Sequence, residues 1–104
     1  MLAYKPDEEC PMTKTLKVVG SKWTMLLLYY LFEGKTRFGE LQTAMGRVSP
    51  KTLSQRLQEL QGEGIITKKV FAEIPPRVEY SLTDKGRSLE KILSTMADWG
   101  NTHG

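Results

Sequence analysis

Five side chains that can bond to a polyanion fall close together in the middle of the chain: Ser49, Lys51, Thr52, Gln55 and Arg56. Hydroxyl, amide and cationic groups are the ones that contact DNA phosphates and the edges of bases. At about 100° per residue, Lys51 and Gln55 share one helical face and Thr52 lies on its flank. We therefore predict base-edge or nearby phosphate contacts for Lys51, Thr52, Gln55 and Arg56. Ser49 is predicted to cap the helix and to donate to a phosphate, and the alternative is an ordinary solvated helix face.

Cys10 is the single cysteine and the one soft nucleophile of the sequence. It precedes Pro11 at a predicted helix N-terminus, where the helix dipole favours a thiolate if the sulfur reaches solvent. Cys10 is therefore the candidate for redox or electrophile sensing. The alternative is a small buried residue that has no redox role.

Other chemistry finds little support in the sequence. The sole histidine, His103, lies next to the C-terminal residue, where it is badly placed to pair with Cys10. A zinc site needs three or four suitably spaced ligands, and no glycine-rich phosphate-binding motif is present. We therefore expect no enzyme activity, no catalytic residue, no metal site and no cofactor.

The segment around these polar residues has the pattern of a helix-turn-helix. Ser49 followed by Pro50 is a strong helix start, and glycines at 62 and 64 are helix stops. Leucines at 53, 57 and 60 stack on the face opposite Lys51 and Gln55. A shorter apolar helix at 38–45 and a glycine-containing turn come before it. The second helix of such a motif enters the major groove with its N-terminal residues foremost.

Two strand-like segments follow and predict a wing. Residues 65–72 are strand-like, and residues 78–83 alternate between apolar and polar side chains. The loop between the two segments contains two prolines. Lys68, Lys69 and Arg77 are placed to meet phosphate or the minor groove. The alternative for these three cations is solvated surface charge. A short strand is also conceivable at residues 36–38.

The remaining elements are helical. Residues 1–9 carry no pattern and are predicted to form a flexible arm. Helices are predicted at 11–19 and 22–32, the second apolar nearly all round and therefore buried, in the core or at a subunit interface. A last helix, 84–100, carries an apolar stripe that one small domain has little room to cover. A second copy of the chain is the simplest cover. The stripe consists of Leu89, Ile92, Leu93, Met96 and Trp99.

Composition sets the remaining bounds. With 104 residues the chain makes one domain, and its net charge of +3 is compatible with a polyanionic partner. One cysteine cannot form an internal disulfide, which indicates a reducing, cytoplasmic location. No apolar run approaches the roughly 20 residues of a membrane span, and the first ten residues do not resemble an export signal.

Taken together, the motifs resemble those of the HxlR family, bacterial transcription regulators of the MarR-like winged helix-turn-helix type. The resemblance extends over nearly the whole chain from Cys10 onward. Its motifs are CPMTKTLKVVGSKWTMLLL (10–28), RFGEL (37–41), SPKTLSQRLQELQGEGII (49–66), PPRVEYSLTDKG (75–86) and ADWG (97–100).

The resemblance implies a mainly α fold with a small β wing (α+β) and additional N- and C-terminal dimerisation helices. It implies a homodimer on double-stranded DNA with two-fold symmetry, a recognition helix at about 49–61, a wing at about 65–83 with Arg77, and a dimerisation helix at about 84–100. Leu16 on the first helix then joins the dimer interface. Some members sense oxidants or electrophiles through the cysteine that Cys10 matches, whereas others lack that role. A winged-helix module that binds proteins and not DNA is the alternative function, and any small-molecule effector is unknown.

Overall fold

The computed structural model describes residues 10–104, so the arm predicted at 1–9 lies outside the described part of the chain. The described elements are α1 (Pro11–Val19), α2 (Lys22–Phe32), α3 (Phe38–Met45), α4 (Pro50–Gly62), β1 (Ile66–Phe71), β2 (Arg77–Leu82), α5 (Asp84–Arg87) and α6 (Glu90–His103). This mainly helical fold with a two-stranded antiparallel wing confirms the predicted fold class.

The first two helices form where their start and stop residues predict. Pro11 opens α1, and Gly20 ends it with its N–H donating to the Leu16 carbonyl at 2.7 Å. A Cβ on Gly20 would overlap that same carbonyl, which explains the glycine. The Ser21 hydroxyl then accepts from the Thr24 N–H at 3.5 Å and caps α2.

The central helix α2 is buried on one side and not all round. Leu27 and Leu28 are fully buried in the core, whereas Tyr29 is exposed and Met25 and Phe32 are only half-buried. The complete burial predicted from the composition of α2 is therefore not reached within one protomer. An open groove of about 820 Å³ separates the outer side of α2 from α6.

The predicted helix-turn-helix is present as α3, a tight turn and α4. Glu40 caps the start of α3, because its carboxylate accepts from the backbone N–H groups of Thr36 and Arg37 at 3.2 and 3.0 Å. Gly46 takes a φ of +80° at the turn, a backbone conformation that favours glycine. Val48, at the end of this turn, is buried and belongs to the hydrophobic core.

The wing pairs β1 with β2 from Ile66↔Leu82 to Phe71↔Arg77. Ile66 and Tyr80 are buried on the face that packs against the helices, and burial raises the pKa of the Tyr80 hydroxyl. Residues 36–38 do not form the conceivable short strand. The Thr36 carbonyl instead accepts a single hydrogen bond from the wing, from the Tyr80 N–H at 2.8 Å.

The predicted single helix at 84–100 is wrong, because the chain forms two helices there. Gly86 is buried so close to the Ile65 carbonyl that a Cβ would overlap it. Just beyond, the Leu89 N–H donates to the Gly86 carbonyl three residues back, which is a tighter turn than the α-helix makes. This turn separates α5 from α6, and α6 continues past residue 100 to His103.

Candidate nucleic-acid interface

The outward face of α4 is a continuous polar stripe. Leu53, Leu57 and Leu60 are buried, which fixes the rotation of the helix about its axis. The exposed side chains opposite them recur at helical spacing: Lys51, Ser54, Gln55 and Gln58. Packing of the leucines therefore presents Lys51 and Gln55 to the outside, where the sequence placed them.

Ser49 caps α4 and uses its hydroxyl within the protein. Its Oγ accepts from the Thr52 N–H at 3.1 Å and donates to Thr52 Oγ1 at 3.0 Å. Because Ser49 has one hydroxyl hydrogen, this pair leaves the Thr52 hydroxyl as the donor that can turn outward. Pro50 occupies the first turn, where its missing N–H costs nothing.

Arg56 lies on the flank of α4 and not at the centre of its outer face. At about 100° per residue it lies roughly 140° from Lys51, near the buried Leu60. Its Nη1 contacts both carboxylate oxygens of Glu59, at 3.2 and 2.9 Å. The Arg56 charge is thus partly countered within the helix, unlike that of Lys51.

Two exposed residues on this side were missed by the sequence reasoning. Ser54 lies in the outer stripe, and Arg47 is exposed in the turn just before α4. A complete helical wheel would have found Ser54, since it lies about 40° from Gln58 on the same face. The signal for Arg47 is a cation inside the turn of a helix-turn-helix.

The three wing cations are divided between the two faces of the hairpin. Lys68 is exposed on the face that also carries Tyr80, its partner in register on β2. Lys69 and Arg77 lie on the opposite face, where Lys69 is paired in register with Glu79. Lys68 makes no ion pair among the residues that the structure describes.

Arg77, in contrast, is surrounded by partners. Its Nη1 lies 3.3 Å from Glu73 Oε2 and its Nε 2.9 Å from Glu79 Oε2. The Nε–H does not point along the second contact, so this is an ion pair without a hydrogen bond from Nε. The guanidinium carbon also lies 4.1 Å from the centre of the Phe71 ring. The predicted phosphate-binding cation is therefore already paired in the protomer.

Cys10 lies at the start of α1 with its side chain buried, at 4% exposure. The condition attached to its predicted reactivity was access to solvent, and the described conformation does not provide it. Between residues 10 and 104 no cluster of potential metal ligands and no helix able to span a membrane is found.

The residues predicted to form the dimer interface differ in how far the protomer buries them. Leu89 is 8% exposed and belongs to the core of the protomer. Leu93 is partly buried against that core. The exposed ones are Leu16 (58%), Ile92 (42%), Met96 (45%) and Trp99 (66%).

Hydrogen bonds join the end of α4 to the start of α5. Lys85 Nζ donates to the Glu63 carbonyl at 2.6 Å and satisfies an unpaired carbonyl at the C-terminus of α4. The Thr83 hydroxyl donates to the Gly64 carbonyl at 2.6 Å and accepts from the Gly86 N–H at 3.0 Å. The C-terminal end of α4 is thus fixed to α5, the element that leads into α6.

A model of the HxlR-like helix-turn-helix family matches residues 18–104. The chain belongs to the HxlR family. It is a transcriptional regulator with a DNA-binding winged helix-turn-helix domain.

Individual relatives agree with this assignment. The HTH-type transcriptional regulator YdeP of Bacillus subtilis is 42% identical over 102 residues, which cover 96% of this chain and 80% of YdeP. A MarR-family regulator structure from Porphyromonas gingivalis has a TM-score of 0.85 at 38% identity, covering 97% of this chain and 99% of the other. The redox regulator HypR in its oxidized form has a TM-score of 0.83 at 40% identity, covering 91% of this chain and 98% of the other.

Proposed function

We propose that this HxlR-family regulator acts as a homodimer on a two-fold symmetric operator in double-stranded DNA, with the N-terminal half of α4 in the major groove. The observation that carries the proposal is the outward stripe of α4, which buried leucines hold away from the core. Lys51, Thr52 and Gln55 contact base edges or nearby phosphates, and Ser49 orders the helix start. Arg56 reaches a phosphate on the flank by exchanging its partner Glu59.

The second copy covers exposed apolar side chains on two helices, Leu16 on α1 and Ile92, Met96 and Trp99 on α6. The three on α6 share one helical face, and an exposed apolar face of this kind is typical of an interface. A two-fold axis repeats α4 on the other protomer, and dimers of this class place their half-sites about one helical turn, roughly 34–36 Å, apart. Within residues 10–104 the proposed units are the recognition helix at 49–61, the wing at 65–83 and a dimerisation helix, for which we propose α6 (Glu90–His103) in place of the predicted 84–100.

A redox or electrophile response, if this regulator has one, acts through Cys10. The support is the chemistry of the sole cysteine together with 40% identity to a redox regulator. Because the Cys10 side chain is buried, α1 must first open at its start before the thiol reacts. The test is duplex binding before and after diamide, with Cys10→Ser alongside. Equal responses of the two proteins, or none in either, leave Cys10 as a packed thiol.

The test of the main proposal is fluorescence anisotropy of a labelled mixed-sequence duplex at low salt. The parent protein should bind with an affinity that falls steeply as salt rises, since cations on α4 and the wing release counterions from DNA. Lys51→Ala should weaken this binding and lower its salt dependence, whereas Lys91→Ala on α6 should leave both unchanged. No binding at low salt would favour the alternative function, a winged-helix module for protein partners.

A further inference from the structure

The outer face of the wing carries a balanced set of charges around one aromatic ring. Arg77 pairs with Glu73 in the loop and with Glu79 two residues along β2, and it stacks on Phe71 at the end of β1. Lys69 lies over the same ring, with its Nζ 4.8 Å from the ring centre. One guanidinium therefore links both strands and the loop that joins them.

The charges of this cluster sum to zero, since Lys69 and Arg77 face Glu73 and Glu79. A phosphate that approaches the Arg77 guanidinium meets two carboxylates beside it, and like charges at that distance repel. Lys68 has neither obstacle, because it is exposed on the other face of the hairpin and makes no ion pair within residues 10–104. The two cations are thus suited to different tasks.

We propose that Arg77 is a positioning residue that fixes the shape of the wing tip, and that Lys68 is the wing cation that contacts phosphate. The inference rests on the proposed DNA binding, which it deepens by assigning the wing contact. The planar guanidinium provides what the task needs, because it can pair with two carboxylates and stack on a ring at the same time. A lysine carries the same charge on one ammonium group. It cannot pair with both carboxylates and stack on the ring at the same time.

Glu79→Gln distinguishes the two possible roles of Arg77, because they predict opposite changes in DNA affinity. If Arg77 bound phosphate, Glu79→Gln would release its charge and tighten DNA binding. If Arg77 positions the tip, Glu79→Gln loosens the tip and weakens binding, although the variant is more positively charged. Arg77→Lys adds a second distinction between these roles. A lysine could still contact a phosphate, but it would lose the geometry that links Glu73, Glu79 and Phe71.

The experiment measures binding of a mixed-sequence duplex across a range of salt concentrations for the parent and for Arg77→Ala, Arg77→Lys, Glu79→Gln and Lys68→Ala. Lys91→Ala on α6 controls for the loss of one positive charge. Lys68→Ala should lower the slope of log affinity against log salt by about 0.9, the value for one phosphate contact. The two Arg77 variants and Glu79→Gln should each weaken binding several-fold with an unchanged slope. A slope lowered by Arg77→Ala and tighter binding by Glu79→Gln would overturn the proposal.

A second measurement does not depend on DNA. Backbone ¹⁵N relaxation of the free protein reports the mobility of residues 72–76 on the picosecond to nanosecond scale. Arg77→Ala and Glu79→Gln should both raise this mobility, and Lys68→Ala should not. Unchanged mobility of residues 72–76 in both variants would overturn the positioning role, whether or not the parent binds a duplex. If mobility rises in both variants but the parent binds no duplex, the positioning role stands, and the DNA function and the Lys68 contact are refuted.

Discussion

Helices α4 and α6 have almost the same length and the same kind of pattern, yet they are buried very differently. Each has apolar residues at helical spacing on one face and polar residues on the other. In α4 the apolar face is fully inside the protomer, with three leucines at 2% exposure or less. In α6 no residue is buried, and Trp99 is two-thirds exposed. An amphipathic pattern thus predicts that a face will be covered, but not by which chain.

The difference arises from what lies beside each helix. α4 packs against α2 and leads directly into β1, so its leucines are part of the hydrophobic core of the protomer. α6 starts after the tight turn at Leu89 and extends away from that core, with none of its residues buried. We therefore expect a change on α4 to act on folding or on DNA binding, and a change on α6 to act on assembly.

The largest effect is expected from Ile92→Asp on α6. In a dimer it would bury a carboxylate near its own copy or against apolar surface, and an unpaired buried charge is strongly unfavourable. Multi-angle light scattering should show a parent dimer and a folded variant monomer at micromolar concentration. Asn101→Asp, which adds the same charge on the opposite face of α6, should remain dimeric. A monomeric parent would remove the proposed role of α6.

Leu57→Ala on α4 should destabilise the protomer itself. Its side chain is 1% exposed, and removing a buried leucine costs about 2–5 kcal/mol of the free energy of unfolding. Urea unfolding should show this loss at every protein concentration. Met96→Ala is the matched truncation on α6, and its loss should shrink as the protein is diluted, because only the dimer uses that side chain. Equal, concentration-independent losses would erase the contrast between the helices.

Gln55→Ala tests the polar face of α4. If Gln55 pairs with a base, the variant should lose about 1–3 kcal/mol of discrimination between bases at one position of the site, with folding unchanged. Competition between labelled and altered duplexes measures that preference. Gln61→Ala is the control at the C-terminal end of the same helix. An unaltered preference in the Gln55 variant would show that this residue does not read sequence.

Ser49→Ala should give the smallest effect. The variant loses the acceptor for the Thr52 N–H, and the loss of a serine cap costs about 1 kcal/mol of stability. Thermal unfolding should therefore show a modest fall in the melting temperature. Ser54→Ala, on the solvated face, is the control and should unfold like the parent. A Ser49→Ala protein as stable as that control would mean that the cap contributes nothing.

The sequence could predict most of the fold because its signals are local. Ser49-Pro50, Gly20 and the alternation in the wing act within a few residues of themselves, and helices and strands appear where these signals place them. The break between α5 and α6 could not be predicted, because it depends on the approach of Gly86 to the Ile65 carbonyl, distant in sequence. The same holds for the burial of Leu89, which the spacing alone assigned to the exposed stripe.

The site was predicted less completely than the fold. Lys51 and Gln55 lie on the outer face as expected, because the leucine spacing determines which way that face points. The ion pairs of Arg56 and Arg77 were missed, although their partners are close in sequence. Glu59 is three residues from Arg56, and Glu79 is two from Arg77 on the same face of a strand. Counting such neighbours would have distinguished paired cations from Lys51 and Lys68.

The most direct test of the account is selection of bound sequences from a pool of random duplex DNA by the parent protein. This experiment tests α4 and α6 together, because a selected palindrome requires α4 to read bases and α6 to hold two copies together. We expect the selected sequences to contain two inverted half-sites with centres about one helical turn apart. Enrichment of single half-sites, or of no sequence at all, would contradict a dimer that reads DNA through α4.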